Sequence, residues 1–542
     1  MTASPEHPSL GLQKKRKGKW TGEDLQLRVL DVDQMLDEAG GLERWNWAFV
    51  GLGVLWAGVA SQGFTMYGYN SPLLELVPKL ECKQDDQWVE CRKQDICINN
   101  QMIDSELWRP DFTDKFSFRN WMTEFQLYCY PDFWIGLLGS VFLIGIILNG
   151  IVLKQADYFG RKSMLIYTSI GHIILSMAMF YSTNIYANYV ILFFGGMLYS
   201  KNYLAYIYCV EITPEKHRIF FGCILLTLEA ILPRTSAVLY LYFADPEGRD
   251  LNKFHILATV FSLLSLALCM LIPESPKYLY EKKRWKELRE VISSIANFNN
   301  VKMDETYLIK EEEKGKSDTQ RLLTESPVES AQLNLEASQK QKIQSKEAQG
   351  NEFSVINELK NARTLINFIC VASLFCIGSF TYQLLGFYLK YAGGDIYVNT
   401  LVACISETLG NFSVSFVQRA FGTKLAFLSF FIIVLIFPLP LLVTTDAAIV
   451  AISIFGCRFF LVGIFTMCYF ANSQYFPALF APFAFSVCSM VAHILSCLGP
   501  EVAEIKPESI PVFVLLTLIM SGIIITLLLQ KPTEKTSETL QK

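Results

Sequence analysis

The chain carries little charge for its length. Of its 542 residues only 18% are Asp, Glu, Lys or Arg, against roughly a quarter in soluble proteins, while 52% are hydrophobic. A formal net charge of -4 offers neither the basic surface that a nucleic-acid partner requires nor an extended acidic one. The first forty residues lack any apolar run and include Lys14, Lys15, Arg16, Lys17 and Lys19. No cleavable signal peptide is therefore expected, and the N-terminus is assigned to the cytosol. A nucleotide-binding loop, zinc-ligand spacing and a nucleophile elbow are also missing. Primary pumping and membrane catalysis are left without support, and the expectation is no enzyme, no cofactor and no metal.

What the chain has in quantity is long apolar runs. Spanning the hydrocarbon takes roughly 20 apolar residues. Runs near that length fall at about 47–68, 132–153, 163–182, 187–209, 219–243 and 253–272, then at 364–389, 396–417, 424–443, 447–472, 479–503 and 510–530. Six plus six predicts an all-α membrane protein of twelve transmembrane helices in two pseudo-symmetric halves. The expected units are a cytosolic segment 1–45 with a short helix, a first half 46–272, a central loop 273–363, a second half 364–530 and a tail 531–542. Lys154, Arg161, Lys162, Lys216, Arg218, Arg419 and Lys424 place the short even-to-odd connections on the cytosolic side. The opposite connections hold Asp245, Glu247, Asp250, Asp395, Asp446 and Glu504.

Two polar insertions interrupt the spans. Residues 70–131 contain Cys82, Cys91, Cys97 and Cys129, an even set that permits three pairings in a segment predicted to face an oxidising exterior. The alternative, four free thiols inside the cell, would require inverting the topology. The central loop begins as helix and turns polar between Glu311 and Asn351, where disorder is expected. Asp318 followed by Leu322-Leu323 has the spacing of an acidic dileucine signal for sorting adaptors, and Ser326-Pro327 that of a phosphorylation site.

Between the second and third spans the chain reads Ala156-Asp157-Tyr158-Phe159-Gly160-Arg161-Lys162. A glycine lets two helices turn tightly, and an acid beside two bases can pair with a helix end, making a latch or simply an anchor. The stretch resembles the signature loop of the major facilitator superfamily, with Leu153 where that family has a leading glycine. Arg419-Ala420-Phe421-Gly422-Thr423-Lys424 is a weaker echo in the second half.

Four further segments are similar to the organic cation, anion and carnitine branch of that superfamily. They are Val32–Gly41, Thr123–Cys129 with the cysteine-bearing loop it closes, Pro273–Leu279, and Gly394–Asn399 leading into Glu407. The departures are Leu192 ahead of Gly195-Gly196, and Gln474 and Ala481 around Pro477 where the branch has charges. Their first-half counterparts Glu211, Pro214 and Arg218 are intact. Together with Asp157, Gly160, Arg161, Lys162, Glu274 and Arg419, these imply cytosolic conformational gating.

A charge at membrane depth costs at least ~2.5 kcal/mol, so ionisable residues inside spans are binding-site candidates. They are Lys201, Glu229, Arg234, Glu407, Arg458 and His493. Mutual pairing is the structural alternative, with Lys201 and Arg458 as partners of acids and Glu229 neutralising Arg234 across Pro233. The resemblance implies Glu407 as the cation-facing charge, and puts His493 where cation transporters have an acid and anion transporters a base. Aromatics make up 13% of the chain, and Tyr199, Tyr203, Tyr206, Tyr240, Phe380, Tyr382 and Tyr469 lie on helices expected to face a central cavity. Cation–π contact with a quaternary ammonium there is worth about 0.5 to 2 kcal/mol.

The reading is an alternating-access transporter of small organic ions, cations or carnitine- or choline-like zwitterions first, in the plasma membrane or an internal vesicle membrane. Organic anions or sugars are the alternatives within the same fold. A membrane sensor or assembly partner with degenerate motifs is the alternative outside transport.

Overall fold

A computed structural model describes residues 28–39, 63–98, 101–213, 218–243, 250–301, 307–309, 358–476 and 480–530. Eight helices among them are long and apolar enough to cross a membrane. Near the start, β1 (Arg28–Leu30) leads into α1 (Val32–Glu38), and α2 (Thr65–Leu74) forms the described end of the first span. The helix runs on past the expected boundary at 68, because Asn70 and Ser71 are buried and turn their side chains to backbone carbonyls rather than to water.

The second span is α3 (Asp132–Ile147) continued by α4 (Asn149–Phe159), and the third is α5 (Arg161–Tyr181). The fourth is split into α6 (Ile185–Met197) and α7 (Ser200–Ile212), after which come α8 (Arg218–Phe243) and α9 (Leu251–Leu271). Two amphipathic helices, α10 (Pro276–Glu281) and α11 (Trp285–Phe298), and β2 (Tyr307–Ile309) follow. The second half holds α12 (Ala362–Tyr388), α13 (Ile396–Phe421), α14 (Thr423–Val434), α15 (Ala447–Tyr475), α16 (Ala481–Ser496) and α17 (Ser509–Leu528).

The loop before α3 carries two disulfides, Cys82–Cys91 and Cys97–Cys129, which selects one of the three open pairings. Lys93 pairs with Asp132 at 2.8 Å and Lys115 with Asp395 at 2.9 Å, so the loop rests on the ends of helices from both halves. We call this end the loop face and the opposite end, with Gly160 and Arg161, the basic face.

On the basic face β1 pairs in parallel with β2, and Met35 and Leu36 of α1 are buried in one cluster with Leu288, Ile292 and Ile295 of α11. Asp33 reaches Lys277 at 3.2 Å. The short N-terminal helix was expected; its docking on the central loop was not, since a strand pair of three residues leaves no periodic signal. The Leu322-Leu323 pair and the polar tract around it lie outside the described residues.

Candidate functional site

Three helices bring their buried charges together at mid-depth. Arg234, one residue after Pro233 in α8, puts Nη1 2.7 Å from Glu407 Oε2 of α13. Tyr382 of α12 closes the triangle, its hydroxyl accepting from Arg234 Nη2 at 3.0 Å and donating to Glu407 Oε1 at 2.7 Å. A buried carboxylate that accepts a guanidinium and a phenol has no strong need of a further cation.

Arg458 of α15 completes the group. It is 1% exposed, donates from Nη1 to the Tyr382 carbonyl at 3.1 Å, and lies 4.7 Å from the centre of the Tyr382 ring. Its Nε has no hydrogen-bond partner. Gly386 makes room for it, since a Cβ there would come within 2.8 Å of Nη2. Two guanidiniums thus face one carboxylate, and the group carries one unbalanced positive charge.

Aromatic rings extend the site. The Arg234 guanidinium sits over Tyr69 at 4.9 Å, and the Tyr69 hydroxyl meets that of Tyr199 at 2.7 Å. Tyr203 stands edge-on to Tyr199, with ring centres 5.5 Å apart. On the other side Tyr382 stacks on Phe465, which meets Tyr469 edge-on at 5.4 Å. Phe380 packs against the second-half core, Tyr240 against the first, and Tyr206 against a small cluster near the basic face.

Several expected partnerships are different in the structure. Arg234 pairs across the halves with Glu407 rather than with Glu229 in its own helix, whose side chain lies outside the described residues. Glu407 is consequently neutralised rather than waiting for a cation. Arg458 and Lys201 form no ion pair among the described residues. Lys201, in the first turn of α7, lies two positions after Tyr199, the residue that caps the helix, which turns it away from the tyrosines and into the first half. His493 bonds along its own helix, with Nδ1 2.7 Å from the Ser489 carbonyl, and does not join the cluster.

On the basic face the expected first-half gating residues other than Arg218 converge. Arg161 donates through Nη2 to Glu211 at 3.1 Å and through Nη1 to Asp157 at 3.0 Å. Glu274 accepts from the backbone N–H groups of Arg161 and Lys162 at 2.9 and 3.0 Å, so its carboxylate caps α5. Gly160 has φ +98°, and a Cβ there would collide with Glu274. The second-half equivalent is neutral, with Thr423 bonded to Gln418 and Gln474. Arg419 is exposed and Lys424 binds the carbonyls of Leu527 and Leu529. The Arg218 side chain lies outside the described residues. Spans 2 and 11 meet nearer the loop face, where Ser140 donates to the Cys497 carbonyl at 2.7 Å, rather than at Leu153.

A buried charged cluster among membrane-length helices is in keeping with a carrier, and the family profile described as "Sugar (and other) transporter" matches residues 56–538. The chain belongs to that family. Its members are membrane transporters with the major facilitator fold, not enzymes. Solute carrier family 22 member 4 of Mus musculus is 23% identical over 76% of this chain and 68% of its own length. Organic cation/carnitine transporter 2 of Rattus norvegicus is 30% identical, but over 33% of this chain and 32% of the relative. The inward-open xylose transporter XylE from E. coli covers 92% of this chain and 99% of its own with a TM-score of 0.57 at 13% identity, a likeness of fold alone. The family shows a membrane transporter of this fold, while the substrate has to be read from the cluster.

Proposed function

We propose that this transporter carries small organic ions bearing a carboxylate, carnitine-like zwitterions before simple anions, by alternating access around Arg234, Tyr382, Glu407 and Arg458. The observation that carries this is Arg458, a buried guanidinium with no carboxylate of its own beside a pair that is already neutral. Burying an uncompensated charge costs several kcal/mol, and a substrate carboxylate relieves it. The ring sequence Tyr382, Phe465 and Tyr469 offers aromatic faces to a quaternary ammonium at the other end of the same molecule. Carnitine, which several relatives are named for, has both ends.

Relative to the sequence-based order, the cation without a carboxylate falls behind the zwitterion, because Glu407 is occupied. Sugar carriage has no specific contact in its favour. The loop face is read as the outside of the plasma membrane, consistent with its disulfides.

The test is uptake of labelled carnitine, a labelled quaternary ammonium and a labelled dicarboxylate into cells with the protein confirmed at the surface. Carnitine uptake that survives Arg458→Lys in part and is lost in Arg458→Gln supports the reading. Uptake of the quaternary ammonium alone, indifferent to both substitutions, would overturn it. A sensor that binds without flux is the second reading, favoured by the neutral Gln418, Thr423 and Gln474 where the first half has ion pairs. Binding of carnitine to purified protein with no flux in cells would select it.

A further inference from the structure

The first half contains a second unbalanced cation, separate from the central cluster. Lys201 is fully buried, and its ammonium has no hydrogen-bond or ion-pair partner among the described residues. Its charge faces His172 of α5 and Cys269 of α9. The Ser169 hydroxyl lies 3.7 Å from the Cys269 sulfur, which fixes the antiparallel register of these two helices. With that register His172 and Ser176 lie opposite Ser265 and Ser262, and all four are buried.

The seam between α5 and α9 is therefore lined by hydroxyls, a thiol and an imidazole. His172 rests against the Gly195 backbone with neither ring nitrogen in a hydrogen bond of normal geometry, and the hydroxyls of Ser176 and Ser265 are unpartnered as well. No Asp or Glu occurs in α5, α6 or α9, and none between residues 45 and 62. The one acid of α7, Glu211, is held by Arg161 and Ser275 at the basic face. Among the described residues this seam thus holds an ammonium and several neutral polar groups, and no carboxylate pairs with the ammonium. Buried polar groups left without partners are costly, and a buried cation beside hydroxyls and an imidazole that can donate is neutralised by an anion.

We propose that Lys201, with His172 and Ser265 beside it, binds a small inorganic anion of chloride size inside the first half, between α5, α7 and α9. This site does not depend on what the central cluster carries. The anion neutralises Lys201 and ties α7 to the α5–α9 pair, which also stiffens the half that holds the intact Arg161 latch.

The experiment uses the full chain purified in detergent, with chloride exchanged for gluconate. Labelled chloride is expected to bind near one per chain, displaced by bromide and not by gluconate. Chloride and bromide should raise Tm saturably by about 2 °C or more over gluconate. Lys201→Met should lose both the binding and the halide effect on Tm, while Arg458→Met keeps them. A wild-type protein indifferent to chloride in both readouts overturns the proposal whether or not any variant folds. So does chloride binding that persists in Lys201→Met, or that disappears in Arg458→Met, which would move the anion to the central cluster. Displacement of the bound chloride by carnitine would likewise count against it, because the occupant would then be a substrate carboxylate.

Discussion

Lys390 joins the two halves at the loop face: its ammonium, just past α12, lies 2.8 Å from a carboxylate oxygen of Glu75, just past α2. The lysine side chain is 3% exposed and that of Glu75 not at all, and Lys390 also pairs with Glu504. Tyr391 donates to Glu504, and Glu501 lies close enough to add its charge. Three carboxylates around one ammonium leave an excess of negative charge in a buried place.

That excess sets a pH dependence. Burial is the main cause that pushes the Glu75 carboxyl up from 4.5 to about 7, with Lys390 opposing and Glu504 and Glu501 adding to it. Lys390 is raised by the same carboxylates and stays charged. When the loop face opens, Glu75 meets water and returns toward its ordinary value, so the closed form binds more protons. Closure is therefore favoured below pH 7 and weakened as pH rises through about 7. Spin labels at Phe133 and Glu508, one on each half, should show a larger short-distance population at about pH 5.5 than at about pH 8. Glu75→Gln should shrink the difference, and Glu75→Gln combined with Glu501→Gln should make the two distributions alike. A difference that survives in the double variant would assign the effect to another group.

The disulfides predict unequal costs. In the loop-closure account, stabilisation grows with the logarithm of the loop closed, and the sequence separations are 9 and 32. Removing Cys97–Cys129 by paired serine substitution should cost about 1 kcal/mol more than removing Cys82–Cys91. Thermal unfolding of the two double variants measures this, and peptide mapping without reductant should return the two pairings. Equal losses would mean that packing of the loop on Asp132 and Asp395, rather than chain closure, sets its stability.

Much of the fold was legible because the bilayer imposes a length and composition that each span must meet on its own. The end of the first span was misjudged because Asn70 and Ser71 read as polar loop, although burial turns their polar atoms inward. Site membership was half legible. Arg234, Glu407, Arg458 and Lys201 stood out as charges at depth, but pairing is decided by helix rotation and by contacts between halves. Arg234 has Glu229 five residues away and Glu407 far along the chain, and the structure joins it to the distant one. Glu75 and Lys390 were not candidates at all, since they stand outside the apolar runs and look like ordinary loop charges.

Gly160 predicts a local failure on the basic face. With φ +98° and Glu274 where a Cβ would go, Gly160→Ala combines backbone strain with displacement of the carboxylate that caps α5. Such strain costs about 1 to 3 kcal/mol. Transport should drop severalfold while the protein still reaches the surface, and Glu274→Gln, which keeps the cap without its charge, should be milder. If Gly160→Ala transported normally, the Glu274 cap would be structurally present but unimportant to the transport cycle.

The Arg234–Glu407 contact is best tested by a cycle of single and double substitutions. Glu407→Gln leaves Arg234 without its carboxylate beside Arg458, so two buried guanidiniums face each other with only Tyr382 between them. Arg234→Gln leaves Glu407 with Tyr382 and the nearby charge of Arg458. Each single variant strands a buried charge, whereas the double variant strands neither and keeps the excess charge of Arg458. The double variant should be more stable than the sum of the singles implies, by about 0.5 to 3 kcal/mol in detergent melts. If Glu407 instead serves as the direct partner of a substrate ammonium, carnitine binding would remain lost in the double variant even as stability recovers. Recovery of both would place the carboxylate end of the substrate, held by Arg458, as the anchor of recognition.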